Sequence, residues 1–189
     1  KERKKLVLFF SYFTHITFDK KNKMKSNQWE NLPKLVREKG LSIYWLHFNG
    51  FLKEKDKTRA SLKIFDDINK NSKLDETHVF LESFLTFNVF IRTMIIYMRI
   101  YFKSFFLKPN KEYFLLNKSK VNLYDLLLDD WNDSFSGITL IQNISWIILF
   151  KEALKFFPSF QFGLFPQENQ SWERAFISAW KKDRNQKLI

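Results

Sequence analysis

The sequence predicts an α/β protein in which a Rossmann-like parallel sheet is built from strands that alternate with crossover helices. Short, continuous apolar runs such as the one from Leu6 to Tyr12 are typical of strands that are buried on both faces. Amphipathic segments with helical spacing follow these runs along the chain. The 189 residues include only 4 Gly and 4 Pro, which is too few for the many tight turns of a β sandwich or barrel.

Each strand is predicted from a short apolar run that ends at polar or turn-forming residues. In chain order the predicted strands are 6–12, 41–48, 77–81, 160–165 and 187–189. The second ends at Asn49-Gly50, a turn-forming pair, and the fourth ends at Pro166. The run 6–13 follows the basic residues 1–5, as in a signal peptide. We interpret it as a buried strand because no small-residue cleavage site follows it.

Each helix is predicted from apolar residues that recur at intervals of three and four. In chain order the predicted helices are 28–39, 57–71, 84–107, 122–135, 140–157 and 171–183. A polar, basic loop is expected over 12–27, and Gly40 is expected to cap the first helix. The helical block from about 84 to 157 is long for a simple crossover. We therefore predict a helical insertion within a single Rossmann-like domain that spans 1–189.

Composition restricts the class of protein. Apolar residues make up 45% of the chain and include 23 Phe and 6 Trp, so the chain can bury a core. The absence of Cys excludes a disulfide framework and thiolate chemistry, and it fits a reducing cytoplasm. The net charge of +12 favours anionic partners. The lysines are scattered and no RNA-recognition or zinc-finger signature is present, so we predict no nucleic-acid partner.

The most apolar helical segment carries a stripe of cations. No run reaches the ~18 uncharged apolar residues of a membrane span. Arg92, Arg99 and Lys103 fall on one narrow stripe of the predicted helix 84–107, and the rest is mainly Phe, Ile, Met and Tyr. Such a helix can lie in a membrane interface, with these three residues as its membrane-facing cations. The alternative is a helix packed against the sheet with its basic stripe in water.

The loop after the fourth strand is the first candidate site. Ligands of open α/β sheets bind at the carboxyl ends of the strands, and Gln167, Glu168 and Asn169 lie there, just before a helix. A carboxylate in this position can act as general base toward a hydroxyl-bearing acceptor, which Asn169 would orient. The alternative is that Asn169 or Ser171 caps the helix and that Glu173, in its first turn, favours the helix dipole.

Two other strand ends add candidates at the same edge. Ser11, Tyr12 and His15 end the first strand, and a histidine is the side chain best suited to exchange protons near neutral pH. His15 is therefore a candidate general base, and the alternative is an ordinary surface histidine. His47 ends the second strand and either lines the same cleft or belongs to the core.

Other motifs argue against metal and phosphate-loop chemistry. Four aspartates recur with helical spacing at Asp125, Asp129, Asp130 and Asp133. No Gly-centred loop accompanies them, so we interpret them as the acidic face of a helix and predict no metal. The sequence also lacks GxxxxGK, GxGxxG and Gly-x-Ser-x-Gly motifs, which disfavours a P-loop enzyme or a hydrolase triad.

Both ends of the chain resemble bacterial surface carbohydrate biosynthesis proteins, which are glycosyltransferase-like proteins of O-antigen-type polysaccharide clusters. At one end, 167–175 and 179–182 are similar to that family in an acidic-amide step, a Trp-Glu pair and a helix. At the other end, the similar stretches are 8–15, 29–33 and 43–47. In that family a Lys-Leu-Ile strand and a His-containing loop follow, and this chain stops at Lys187-Leu188-Ile189.

The resemblance implies a GT-B-type architecture in which this chain, which begins at Lys1, is the acceptor-side N-terminal half of a longer protein. A nucleotide-sugar donor would be the substrate of the missing half, and no cofactor is expected. The acceptor would be a lipid-linked or saccharide molecule, used in the cytoplasm at the inner face of the cytoplasmic membrane. Glu168 and His15 are then the catalytic candidates. The substrate-binding candidates are Asn169, Glu173, Ser11, Tyr12 and Gln167, with Glu173 supporting the loop.

A different class of function stays open beside the transferase. In this alternative, the chain is a non-enzymatic module that binds a membrane surface through the basic amphipathic helix.

Overall fold

The chain folds as an α/β protein, which confirms the predicted class. The computed structural model describes residues 5–19, 24–49, 55–70, 76–107, 109–115, 121–183 and 187–189. The strands are β1 (Leu6–Tyr12), β2 (Ile16–Phe18), β3 (Met24–Ser26), β4 (Ser42–Phe48), β5 (Glu76–Phe80), β6 (Phe162–Leu164) and β7 (Lys187–Leu188). The helices are α1 (Leu32–Glu38), α2 (Lys55–Lys70), α3 (Phe87–Ser104), α4 (Tyr124–Ser136), α5 (Ile138–Phe156) and α6 (Ser171–Asp183). The bounds of β1 and α6 are those predicted, whereas residues 1–4 and Asn71 lie outside the described residues.

Five strands form one parallel sheet in the order β5-β4-β1-β6-β7. The central strand β1 pairs with β4 along its whole length and with β6 over residues 7–9. Its four residues 7–10 are completely buried, because both faces of the sheet are covered. Crossover connections between parallel strands explain why long segments separate strands that are neighbours in the sheet.

The core has one layer on each face of the sheet. On one face, Phe9 and Trp45 pack below Val36 of α1, with ring centroids 4.8 Å apart for the two aromatic side chains. On the other face, Phe10 stacks on Trp172 of α6 at a centroid distance of 4.4 Å. Adjacent residues of β1 therefore anchor opposite layers, as the alternation of side chains along a strand requires.

The predicted loop over 12–27 contains an antiparallel hairpin of β2 and β3. Ile16 of this hairpin is buried and packs in a second core cluster with Phe13, Phe65 and Phe80. Each strand has only three residues, which is too short for an alternating apolar pattern to reveal. This hairpin corrects the expectation of an open polar loop after β1.

The first helix is shorter than the predicted 28–39. Trp29 lies in a turn that precedes α1, where its ring packs edge-on against Phe9 at 5.2 Å. Its Nε1 donates to the carbonyl of Phe10 at 3.0 Å. Glu30 has a φ of 43°, which interrupts a right-handed helix. Because the indole of Trp29 packs against Phe9 in this turn, the helix begins only at Leu32.

The predicted end of this helix is confirmed at Gly40, whose φ is 73°. Its N–H donates to the carbonyl of Arg37 at 2.9 Å, and the N–H of Leu41 donates to the carbonyl of Val36 at 3.3 Å. These two bonds form a Schellman motif, which needs a residue that tolerates the left-handed conformation.

The described residues divide into two compact units. One comprises 1–85 with 149–189 and holds the parallel sheet, and the other comprises 86–148 and is helical. In the helical unit α3 packs against α4, where the hydroxyl of Tyr97 donates to the carbonyl of Ser136 at 2.8 Å. Thr86 caps α3 by accepting the N–H of Val89 at 3.3 Å, so the helix begins later than the predicted residue 84.

Among the residues that the structure describes, no helix has both the length and the apolar character that crossing a membrane requires.

Candidate active site at the carboxyl edge of the sheet

The strand order places a topological switch point at the carboxyl ends of β1 and β6. From β1 the chain builds the sheet outward through β4 and β5, then returns to add β6 and β7 on the other side of β1. Connections leave β1 and β6 toward opposite sides, so a crevice opens between them, and ligands of open α/β sheets bind there. The residues that follow these two strands are therefore the ones positioned to meet a ligand.

Tyr12, the last residue of β1, links the two sides of this crevice. Its hydroxyl accepts a hydrogen bond from Nε1 of Trp172 at 2.7 Å and lies near the side chain of Glu168. Burial, followed by the nearby Glu168 carboxylate, raises the pKa of Tyr12 above its ordinary value. The phenol is therefore protonated at neutral pH, beside the exposed carboxylate of Glu168.

Glu173 holds the backbone of the candidate loop. It is buried, and its Oε1 accepts the backbone N–H groups of Glu168 at 2.7 Å and of Gln170 at 2.8 Å. The bond to Gln170 is the glutamate half of a capping box at the start of α6. Glu173 thus supports the loop from inside the protein, and its predicted contact with substrate stays a prediction.

Asn169 has a φ of 60°, in the left-handed region that asparagine tolerates better than most residues. Its side chain is exposed, and so is that of Gln167. Both therefore stay available to an acceptor. The loop 167–170 is short and exposed, and Glu173 fixes its backbone at Glu168 and Gln170.

Replacing Glu173 by Ala is expected to lower the free energy of unfolding by about 1–3 kcal/mol, because two backbone N–H groups lose their acceptor. Replacing it by Gln keeps one acceptor oxygen and is expected to cost less. Urea denaturation measures both effects. Glu38→Ala, on the exposed side of α1, is the matched control and is expected to change stability by under about 0.5 kcal/mol. Equal stability of Glu173→Ala and the control would contradict the capping role.

His15 and Ser11, the other two residues selected at the end of β1, lie in different environments. His15 is exposed, and its ring lies 6.0 Å from that of Tyr12 at an angle of 66°, so it borders the same edge as Glu168. Ser11 is completely buried, and its hydroxyl lies 3.4 Å from the carbonyl of Tyr12, to which it donates. Its side chain is not exposed in this packing, and its contact with substrate stays a prediction.

His47 belongs to the core, the second of its two predicted alternatives. It is completely buried, and its Nε2 lies 2.9 Å from Nδ1 of His78. Both rings stack on Phe65 at 4.6 Å. Burial lowers the pKa of His47 well below its ordinary value and lowers the pKa of His78 to about 3. Both rings are therefore neutral at physiological pH.

The other predicted residues lie in the helical unit. Arg92, Arg99 and Lys103 lie on α3, where Arg99 and Lys103 are exposed and Arg92 is half-buried with an interaction inside the protein. The four aspartates all lie on α4. In the part of the chain that the structure describes, no group of three or more potential ligand residues is placed to hold a metal.

Two residues at the carboxyl edge of the sheet, Trp172 and Glu82, were not selected from the sequence. Trp172 orients Tyr12 through a hydrogen bond. A carboxylate oxygen of Glu82 accepts the backbone N–H of Asn49 at 2.8 Å, and this bond joins the loops after β4 and β5. Glu82 follows a predicted strand, so the rule that selected Glu168 could also have selected it. The role of Trp172 depends on a contact between residues far apart in the sequence, which no local pattern reveals.

Comparison with known proteins adds no relative: no family model, curated protein or solved structure matches the chain.

Proposed function

We propose that the chain is the acceptor-side domain of a glycosyltransferase-like protein of bacterial surface polysaccharide biosynthesis. In this proposal it is the N-terminal half of a GT-B-type enzyme that transfers a sugar from a nucleotide-activated donor. The observation that carries the proposal is the exposed carboxylate of Glu168, which lies near Tyr12 on the capped loop at the topological switch point.

The geometry suits general-base chemistry. Glu168 would take the proton of an acceptor hydroxyl while that oxygen attacks the anomeric carbon of the donor sugar. The bond between the sugar and the nucleotide breaks, and its electron pair leaves with the nucleotide. His15 is the second candidate base, because it borders the same edge. Asn169 and Gln167 are exposed amides that can donate to and accept from acceptor hydroxyls.

The charge of the chain supports the proposed class of acceptor. A net charge of +12 attracts a phosphate-bearing, lipid-linked saccharide more strongly than a neutral sugar. The donor nucleotide-sugar would bind mainly to a C-terminal half, as in the proteins that the sequence resembles. The proposal places the enzyme in the cytoplasm, at the inner face of the cytoplasmic membrane.

A transfer assay tests the proposal directly. Protein expressed from its complete reading frame is incubated with a panel of nucleotide-sugars, with and without a lipid-linked acceptor fraction, and nucleotide release and acceptor mass are measured. The expected result is nucleotide release that depends on the acceptor, with an acceptor mass increased by one sugar. A folded protein that neither binds nor consumes any nucleotide-sugar of the panel would refute the proposal.

A further inference from the structure

One side of α3 is an exposed apolar surface. We call it the apolar face of α3, and it consists of Phe87, Ile91, Ile95, Met98, Phe102 and Phe105. At about 100° per residue, these six positions fall within about 80° of the helix circumference. Their side chains are 39–78% exposed. Single exposed apolar residues are ordinary, but a continuous row over the whole length of a helix marks an interaction surface.

A different side of the same helix makes the intramolecular contacts. Val89 and Thr93 are buried, and the hydroxyl of Thr93 donates to the carbonyl of Val89 at 2.9 Å. Tyr97 continues this row and reaches α4 through its hydroxyl. These positions lie roughly opposite the apolar face on the helical wheel. Packing against α4 therefore does not account for the apolar face.

Cations border the apolar face along one edge. Arg99 and Lys103 are exposed and lie about 80–120° from the centre of the face, between it and the packed side. Arg92 falls in the same row, although it is half-buried. The sequence of α3 contains no Asp or Glu, so nothing on the helix neutralises this edge. An apolar face with cations along its border is complementary to a surface that is apolar inside and anionic outside.

We infer that α3 is a docking surface for an anionic lipid bilayer and lies in the plane of its interface. The apolar face would insert among the acyl chains just below the headgroups. Arg99 and Lys103 have long apolar stems, so their charged ends can reach the anionic headgroup level while the stems stay buried. A second copy of the chain in antiparallel pairing fits less well, because Arg99 and Lys103 of the two copies would lie side by side. The inference does not depend on the proposed transferase function.

The test measures binding of the complete protein to vesicles by flotation. Vesicles of phosphatidylcholine containing about one third phosphatidylglycerol are compared with vesicles of phosphatidylcholine alone. The expected result is binding to the anionic vesicles that weakens at high salt and is much weaker for neutral vesicles. Hydrogen exchange of 87–105 is expected to slow when the anionic vesicles are added.

Two pairs of substitutions separate insertion from charge attraction. The pair Ile95→Asn and Phe102→Asn removes apolar side chains and is expected to lower vesicle affinity at least 10-fold. The pair Arg99→Gln and Lys103→Gln is expected to lower affinity for anionic vesicles about 5-fold per cation, and to leave neutral vesicles unaffected. All four side chains are exposed, so the fold is expected to persist, which circular dichroism checks.

Matched controls lie elsewhere on the surface. Leu126→Asn removes a side chain of α4 that is 72% exposed, and the pair Lys181→Gln and Lys182→Gln removes two exposed cations of α6. Neither is expected to change vesicle binding by more than about 2-fold. The inference is overturned if folded protein does not bind anionic vesicles, or if the α3 pairs bind as tightly as the controls. It is also overturned if the apolar pair abolishes a dimer and leaves vesicle binding unchanged.

Discussion

Replacing Glu168 by Gln is expected to lower sugar transfer by about 100- to 10,000-fold, the usual contribution of a positioned general base. Glutamine has nearly the same size, and the backbone N–H at position 168 can still donate to Glu173, so the loop is expected to keep its conformation. The amide cannot take up the proton of an acceptor hydroxyl. Steady-state kinetics of the complete protein should therefore show a lower kcat with a KM close to that of the wild type.

Three variants establish whether this loss is chemical. Glu38→Gln, on the surface of α1, is expected to retain full turnover. His15→Gln is expected to lose much less than Glu168→Gln if Glu168 is the base, and more if His15 is. Tyr12→Phe removes the hydroxyl beside Glu168 and should cause an intermediate loss. Unchanged turnover of a folded Glu168→Gln protein would remove Glu168 from the mechanism.

Acidification from pH 6.5 toward pH 3 is expected to destabilise the fold through the buried pair of His47 and His78. Burial lowers the pKa of His78 to about 3 and the pKa of His47 well below its ordinary value near 6.5. The unfolded chain therefore binds protons below pH 6.5 that the folded chain excludes. The stability that these rings contribute is present above pH 6.5 and is lost as the pH falls toward the folded pKa. Each ring lowers the free energy of unfolding by at most about 1.4 kcal/mol per pH unit.

Urea denaturation at several pH values measures this slope. Two charged groups lie beside the pair, with Oε2 of Glu76 3.4 Å from Nε2 of His78 and Arg37 paired with Glu76. The double variant His47→Gln and His78→Asn keeps a polar group at each of the two positions and removes both titrating rings. It is expected to be less stable at pH 7.5 but to lose less stability on acidification. His15→Gln is the control, and an acid slope equal to wild type in the double variant would exclude the pair as its source.

The local sequence pattern was sufficient to predict the bounds of elements whose buried side chains follow one regular spacing. β1 is apolar over residues 6–10 because both faces of the sheet are covered, and its bounds were predicted from the local run alone. The helix α6 begins at Ser171 and ends at Asp183 as predicted, since its apolar spacing and its capping loop agree. Glu168 and His15 were placed at one edge because the carboxyl ends of parallel strands share an edge.

Features that depend on contacts between distant residues were not predictable in the same way. The turn around Trp29 forms because the indole is packed against Phe9, and the spacing of apolar residues along the sequence does not reveal that contact. The burial of Ser11 and the stacking of His47 on Phe65 depend on which face of the sheet each side chain occupies and what covers it. The reversal of strand order between β1 and β6 follows from the full topology, so the sequence predicted the edge but not the switch point.

The central place of β1 also has a consequence for synthesis on the ribosome. Its partner β4 follows soon after it in the chain, but its other partner pairs Val7 with Phe162, which emerges much later. Until then one edge of a strand with the sequence LVLFFSY has no partner in the sheet. An apolar, unpaired strand edge readily joins the same edge of another chain. A nascent chain that pauses before β6 is therefore expected to carry an aggregation-prone strand edge until β6 emerges.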